Sequence, residues 1–185
     1  MTVGIMGSEV ITGLETQLFE LHKNLAEKRK ELTPKDVTDY EFKNNNGSAV
    51  KLSELFGKNE HLILIHNMGS SCPYCTMWAD GINGIYQHLE TKAAFVLNSP
   101  DSPADQAEFA EKNGWKFDIV SSESNSFNKD LGFESDEGNP QPGVSTFTKD
   151  TEGKIRLIAQ SYFGPGDPFC SIWHFFDLLP IKIDH

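Results

Sequence analysis

Cysteine, basic charge and long apolar runs are all scarce in this chain of 185 residues, and each scarcity removes a class of function. Cysteine occurs three times, at Cys72, Cys75 and Cys170. Three is too few, and too odd a number, for the disulfide framework of a small secreted domain, and it suits a reducing compartment where thiols react or simply pack. Lys and Arg number 16 against 27 Asp and Glu, giving a formal charge of −11 and a pI near 4.9. A field of that sign repels phosphate backbones and anionic lipid, so neither nucleic acid nor a membrane surface is an expected partner. No apolar run approaches the ~20 residues that span a bilayer, and the first eleven residues lack a basic stretch ahead of an apolar one. The expectation is a soluble, cytoplasmic protein.

What is present is ordinary globular material: 38% hydrophobic and 23% charged residues, in a chain long enough to bury roughly 70% of its unfolded surface. Thr12 with Glu15 has the form of a capping box that opens a helix. Leu14, Leu18, Leu21 and Leu25 then recur at helical spacing, Lys28, Arg29 and Lys30 suit a helix C-terminus, and Pro34 ends it. This predicts a helical extension over residues 1–36, its leucine stripe packing on its own domain or pairing two copies into a homodimer, ahead of a main domain over 37–185.

In the main domain, Tyr40–Leu52 reads as a hairpin turning at Asn46-Gly47, which would supply positive φ angles. His61–Ile65 is a near-continuous apolar run, the mark of a central buried strand. Pro73 opens a helix with Trp78, Ile82, Ile85 and Leu89 on one face. A second strand follows at Ala93–Leu97, a helix capped by Ser102 and Pro103, a third strand at Phe117–Val120, a loop over 134–143, a hairpin from Val144 to Tyr162, and a helix over Phe169–Leu179. The strand–helix alternation implies parallel strands with right-handed crossovers, and the closing hairpin adds antiparallel edges.

Cys72-Pro-Tyr-Cys75, between the central strand and its helix, is the strongest chemical signal. At the N-cap, Cys72 faces unpaired backbone N–H groups and the positive end of the helix dipole. That setting favours thiolate over thiol and makes Cys72 the expected nucleophile. Cys75, one turn in and less exposed, is placed to attack a mixed disulfide and release the product. His66, at the strand end, is a candidate proton shuttle for Cys75. Two other readings compete. The pair could hold a metal, with Cys170 and His174 completing four ligands, or it could be inert. Trp78 reads as core, Cys170 as a small buried hydrophobe, and His22, His61 and His88 take no role.

The strand–Cys-Pro-Tyr-Cys–helix unit resembles the thioredoxin superfamily. The Lys-Arg-Lys helix end, Tyr40-Glu-Phe, Leu52-Ser-Glu-Leu-Phe, Trp78-Ala-Asp-Gly81 and Pro142-Gly-Val-Ser145 are similar to a bacterial group of thioredoxin-like proteins described as a domain of unknown function or predicted dithiol–disulfide oxidoreductase. The resemblance spans about residues 15–180. It implies an α/β, thioredoxin-like three-layer sandwich: a central mixed sheet with helices on both faces, plus the N-terminal helical extension. It also implies exchange through Cys72 and Cys75 with a protein or small-molecule disulfide and an external thiol electron donor; no cofactor or metal is expected. Pro73, Tyr74, Val144 and Ser145 would line the substrate contact.

The sequence departs from that group's wider relatives in two respects. Ser145 stands where thioredoxins place a cis-proline, and His66 where they carry a buried acid. The peroxiredoxin pattern, proline seven and threonine three residues before the reactive cysteine, is absent at Cys72, where Ile65 and Gly69 fill those places. The expected function is dithiol–disulfide oxidoreductase. The alternatives are a non-catalytic module whose dithiol binds metal or senses redox state, and a thiol peroxidase.

Overall fold

The computed structural model describes residues 7–182. They divide into two compact units at Pro34/Lys35. The first is helix α1 (Glu9–Lys30), which starts one turn earlier than the Thr12–Glu15 pair predicts. Ser8 is the N-cap, its Oγ accepting the Ile11 N–H at 3.3 Å. Thr12 is thus helical, and Lys28, Arg29 and Lys30 fill the last turn as expected. None of the helix's residues is buried; Leu14, Leu18, Leu21 and Leu25 are 45–64% exposed.

The second unit is built on one eight-stranded sheet. Its strands are β1 (Lys35–Asp36), β2 (Glu41–Asn44), β3 (Ala49–Lys51), β4 (His61–His66), β5 (Ala94–Ser99), β6 (Asp118–Ser121), β7 (Gly143–Lys149) and β8 (Ile155–Tyr162). They lie in the order β1-β8-β7-β4-β5-β6-β2-β3. Only β4–β5 and β5–β6 are parallel, each joined by a helical crossover, while β4–β7 and β7–β8 are antiparallel. The helices are α2 (Leu52–Leu55), α3 (Pro73–Asn83), α4 (Tyr86–Leu89), α5 (Pro103–Asn113), α6 (Phe127–Asp130) and α7 (Ser171–Phe176). The expected architecture, a mixed sheet with helices on both faces, is the one found.

Strand alternation divides the core into two layers. Ile65, Phe95, Leu97, Ile119 and Val144 point to one face, where Trp78, Ala79 and Ile82 of α3, Ala110 of α5 and Trp173 of α7 cover them. Leu62, Leu64, Val96, Val120 and Phe147 point to the other, against Phe42, Leu52, Phe56 and Phe127. The four phenylalanines of this second layer are at most 1% exposed. Each such ring contributes on the order of 1.5–3 kcal/mol through burial, so the sheet is anchored from both sides.

Three elements depart from the sequence expectation. The helix opened by Pro73 stops at Asn83, with Gly84 at the C-cap and Ile85, 50% exposed, starting a separate turn. Gly81 and Gly84 lower helix propensity there by nearly 1 kcal/mol each relative to alanine. The last helix is only Ser171–Phe176; beyond it Leu178 and Leu179 are 81% and 50% exposed, so burial no longer supports it. In the β2–β3 turn only Gly47 has positive φ, at 80°, and the Asn44 side chain closes the turn by accepting from Asn46 N–H and Ser48 N–H. Among the described residues, no helix is long and apolar enough to cross a membrane.

Candidate active site

β4 delivers the chain to the C-terminal edge of the parallel strands, where a six-residue loop leads into α3. Cys72 is the N-cap of α3, in extended conformation, and Pro73 is the first helical residue. The Cys72 Sγ accepts the Cys75 N–H at 3.2 Å, so the sulfur occupies the position of a capping oxygen over the orphan amides of the first turn. Cys75 lies one turn further in. It is 3% exposed against 9% for Cys72, and its Sγ accepts the Met68 N–H at 3.5 Å. Burial, reinforced by the hydrogen bond with Cys72, pushes the Cys75 thiol up to about 12. Around them, Pro73 is exposed, and Tyr74 is 49% exposed with its ring 5.8 Å from that of Trp173. Both cysteines are thus buried, Cys72 less deeply than Cys75.

His66 is not brought to the thiols. It follows Leu62 and Leu64 in the period-two alternation of β4, so its side chain leaves the sheet on the face opposite α3. There it stacks between Phe133 and Phe127, with centroids at 3.6 and 5.4 Å. Its Nε2 lies 2.8 Å from Ser145 Oγ and its Nδ1 3.2 Å from Asn128 Oδ1. Asn98 Nδ2 also donates to that Oδ1, so it is an acceptor and the ring proton resides on Nδ1. Ser145 Oγ, which accepts from Gln160 Nε2, then donates to His66 Nε2. Burial lowers the imidazole to about 3, opposed only by the bond to Asn128. Buried, neutral and engaged at both nitrogens, His66 is part of a core polar network and has no path to Cys75 as a proton shuttle.

The same network withdraws Ser145 from the expected contact surface: it is fully buried, facing the His66 side of the sheet. Val144 points the other way, into the α3 layer opposite Ile65. Gly143 has no room for a side chain, since a Cβ would run into the Phe133 ring and the Ser161 carbonyl. Cys170 caps the start of α7 and is 5% exposed; burial pushes its thiol up. It lines, with Pro73, Thr76, Met77, Ile85 and Phe169, a cavity of about 550 Å³ beside α3. His174 is exposed, and among the described residues no three His, Cys, Asp or Glu side chains are grouped to hold a metal ion.

Two acids at the site escaped the sequence reading. Asp167 ties the segment after β8 to α3: its Oδ2 accepts from Trp78 Nε1 at 3.0 Å and from Gly164 N–H at 3.1 Å, and its Oδ1 from Phe169 N–H at 2.7 Å. Asp101 accepts the Ser70 N–H at 2.6 Å, inside the loop that leads to Cys72. Both act across dozens of residues, and only their neighbouring Gly and Pro marked them as loop positions.

Comparison with known proteins gives the family and the fold. The family described as "Bacterial protein of unknown function (DUF899)" matches residues 12–182. The chain belongs to DUF899. This DUF899 protein is also 30% identical to the chloroplastic peroxiredoxin Q of Sedum lineare over 148 residues, which cover 78% of this chain and 77% of the relative. It is 28% identical to that of Populus jackii over 127 residues, 68% of this chain and 59% of the relative. The chain therefore spans less than two thirds of the length of the Populus protein. Among solved structures, peroxidoxin BcpB from Mycobacterium tuberculosis superimposes with a TM-score of 0.57 at 24% identity, covering 70% of this chain and 84% of that one. A PrxQ variant from Xylella fastidiosa gives 0.59 at 15% identity, covering 79% and 95%. These structural likenesses establish the thioredoxin-like fold of the DUF899 chain.

Proposed function

We propose that the chain is a thiol-based redox enzyme that cycles Cys72 and Cys75 between dithiol and disulfide, with disulfide exchange as its reaction. The unequal setting of the two sulfurs carries this reading: Cys72 Sγ caps the helix N-terminus, and Cys75 is the more deeply buried of the two, held as a thiol by burial. Cys72 Sγ attacks one sulfur of a substrate disulfide; the substrate S–S bond breaks and the leaving thiolate takes up a proton. Cys75 then gives its proton to solvent and attacks Cys72 Sγ, expelling the second substrate thiol. The substrate gains two electrons and the protein is left with a Cys72–Cys75 disulfide, which an external thiol donor returns to dithiol. Exposed Pro73 and Tyr74 form the substrate face. A reducing compartment such as the cytoplasm suits this cycle.

Thiol peroxidase is the second reading, favoured by the peroxiredoxin Q relatives. There Cys72 Sγ attacks a hydroperoxide oxygen, the O–O bond breaks to release water or an alcohol, and the sulfenic acid condenses with Cys75 to lose water. Neither cysteine has the proline and threonine of the peroxiredoxin pattern. Ile65 and Gly69 fill those places for Cys72, and Met68 and Cys72 fill them for Cys75.

The test mixes reduced protein with glutathione disulfide or with hydrogen peroxide and follows the Cys72–Cys75 bond by alkylation and mass. Exchange predicts faster closure with the disulfide, and peroxidase activity the reverse order. If neither oxidant closes the bond faster than in the urea-unfolded chain, both readings fail.

A further inference from the structure

β5 ends at Ser99, and Asp101 stands in the turn before α5 with its backbone pinned on both sides. Its N–H donates to Ser99 Oγ at 3.2 Å. Its carbonyl accepts from Gln106 Nε2 at 2.8 Å and from Ser121 Oγ at 2.6 Å. Ser99, Gln106 and Ser121 are all buried, so three elements (β5, α5 and β6) fix where this one residue stands. Such a concentration of buried polar groups on a single surface turn is more than helix capping requires, because Ser102 already caps α5.

The carboxylate so fixed reaches the loop between β4 and α3. Its Oδ2 accepts the Ser70 N–H at 2.6 Å. Its Oδ1 lies 2.6 Å from where a Cβ on Gly69 would stand, and Gly69 has φ of +102°. Only glycine permits both the close approach and that backbone angle. From the other side, Asn67 Oδ1 accepts the Gly69 N–H at 2.7 Å, and the Gly69 carbonyl accepts the Cys72 N–H at 3.2 Å. Met68 is bracketed between these anchors, and its N–H is the group that donates to Cys75 Sγ.

We infer that Asp101 is a positioning residue for the dithiol: by clamping Gly69 and Ser70 it holds the Met68 N–H on Cys75 Sγ and raises the reduction potential of the Cys72–Cys75 couple. This rests on the disulfide-forming dithiol proposed above. An N–H donor stabilises Cys75 sulfur in the reduced state, above all as the thiolate that attacks a mixed disulfide. A disulfide sulfur accepts hydrogen bonds more weakly, so the oxidised state gains less. Stabilising the reduced form of a couple makes it more oxidising. Asp101 touches neither sulfur in this arrangement and acts through the loop.

The full-length chain and its Asp101→Ala, Asp101→Asn and Gly69→Ala variants are equilibrated in buffers of reduced and oxidised glutathione. In each, two glutathione thiols and the protein disulfide form from glutathione disulfide and the protein dithiol. The Cys72–Cys75 bond is read by mass after alkylation. Asp101→Ala is expected to shift the equilibrium about tenfold toward the protein disulfide, equivalent to about 30 mV for a two-electron couple. It should also slow glutathione release from the Cys72 mixed disulfide. Asp101→Asn keeps an acceptor for the Ser70 N–H and recovers most of both losses. Gly69→Ala displaces the carboxylate from the loop side and moves the potential in the same direction; it decides the question if Asp101→Ala does not fold. Folded Asp101→Ala or Gly69→Ala protein with the wild-type potential and release rate overturns the role of Asp101. A wild-type chain with no reversible couple overturns the dithiol reading itself.

Discussion

Acid should destabilise this protein above all through His66. His66 is neutral in the folded state, with its pKa lowered from 6.5 to about 3. In the unfolded chain it titrates near 6.5. Below that pH the unfolded state binds a proton that the folded state refuses, so stability falls as pH falls, progressively from about 6.5 to about 3. At pH 5 the loss from this group is about 2 kcal/mol, and near pH 3 it approaches ~5 kcal/mol. The assay is urea unfolding at pH 7 and pH 5, with His66→Gln as the control. Glutamine can donate to Asn128 Oδ1 and accept from Ser145 Oγ in place of the imidazole, but it does not titrate. Wild type is expected to lose about 2 kcal/mol more than the variant between the two pH values. Equal losses in the two proteins would refute the reasoning, because every other titrating group is common to both.

Four further substitutions test the site and the frame. Cys72→Ser is expected to lower turnover by more than about a thousandfold, whereas Cys75→Ser should accumulate a mixed disulfide between Cys72 and the substrate, seen by mass under non-reducing conditions. Gly143→Ala drives a Cβ into the Phe133 ring and the Ser161 carbonyl; a loss of roughly 1–3 kcal/mol in urea unfolding is expected from such overpacking, and no change would show that β7 and Phe133 yield freely. Leu18→Glu, on the exposed stripe of α1, should leave the urea midpoint within about 0.5 kcal/mol of wild type, and a larger loss would mean that this leucine is covered in solution.

Much of the frame is legible in the sequence because its signals are local. Buried apolar runs mark β4 and β5, Ser102-Pro103 marks the start of α5, and Cys72-Pro73 marks a helix N-terminus with a sulfur on it. What escaped is what depends on facing or on distance. His66 follows Leu62-Ile63-Leu64-Ile65, a run apolar on both faces of the sheet, so no polar alternation reveals which way the next side chain points. The residue that looks closest to the cysteines in sequence therefore lies behind the strand. Ser8 is hidden as an N-cap because Thr12–Glu15 offers an equally good box one turn later. Asp101 meets Ser70 across 31 residues, and nothing near it in sequence announces the contact.

The division of the core into two layers also divides the chain's optical probes. All three tryptophans belong to the α3 side: Trp78 and Trp173 are buried in that layer and Trp115 packs against it. The opposite layer holds phenylalanine, with Tyr40 packed against it, and no tryptophan. Intrinsic indole emission thus reports on one half of the molecule, the half that carries the cysteines, and is blind to the melting of the other. A denaturation curve followed at tryptophan wavelengths and one followed by backbone ellipticity are consequently two different experiments on this fold, and their coincidence would measure how firmly the sheet couples its two sides.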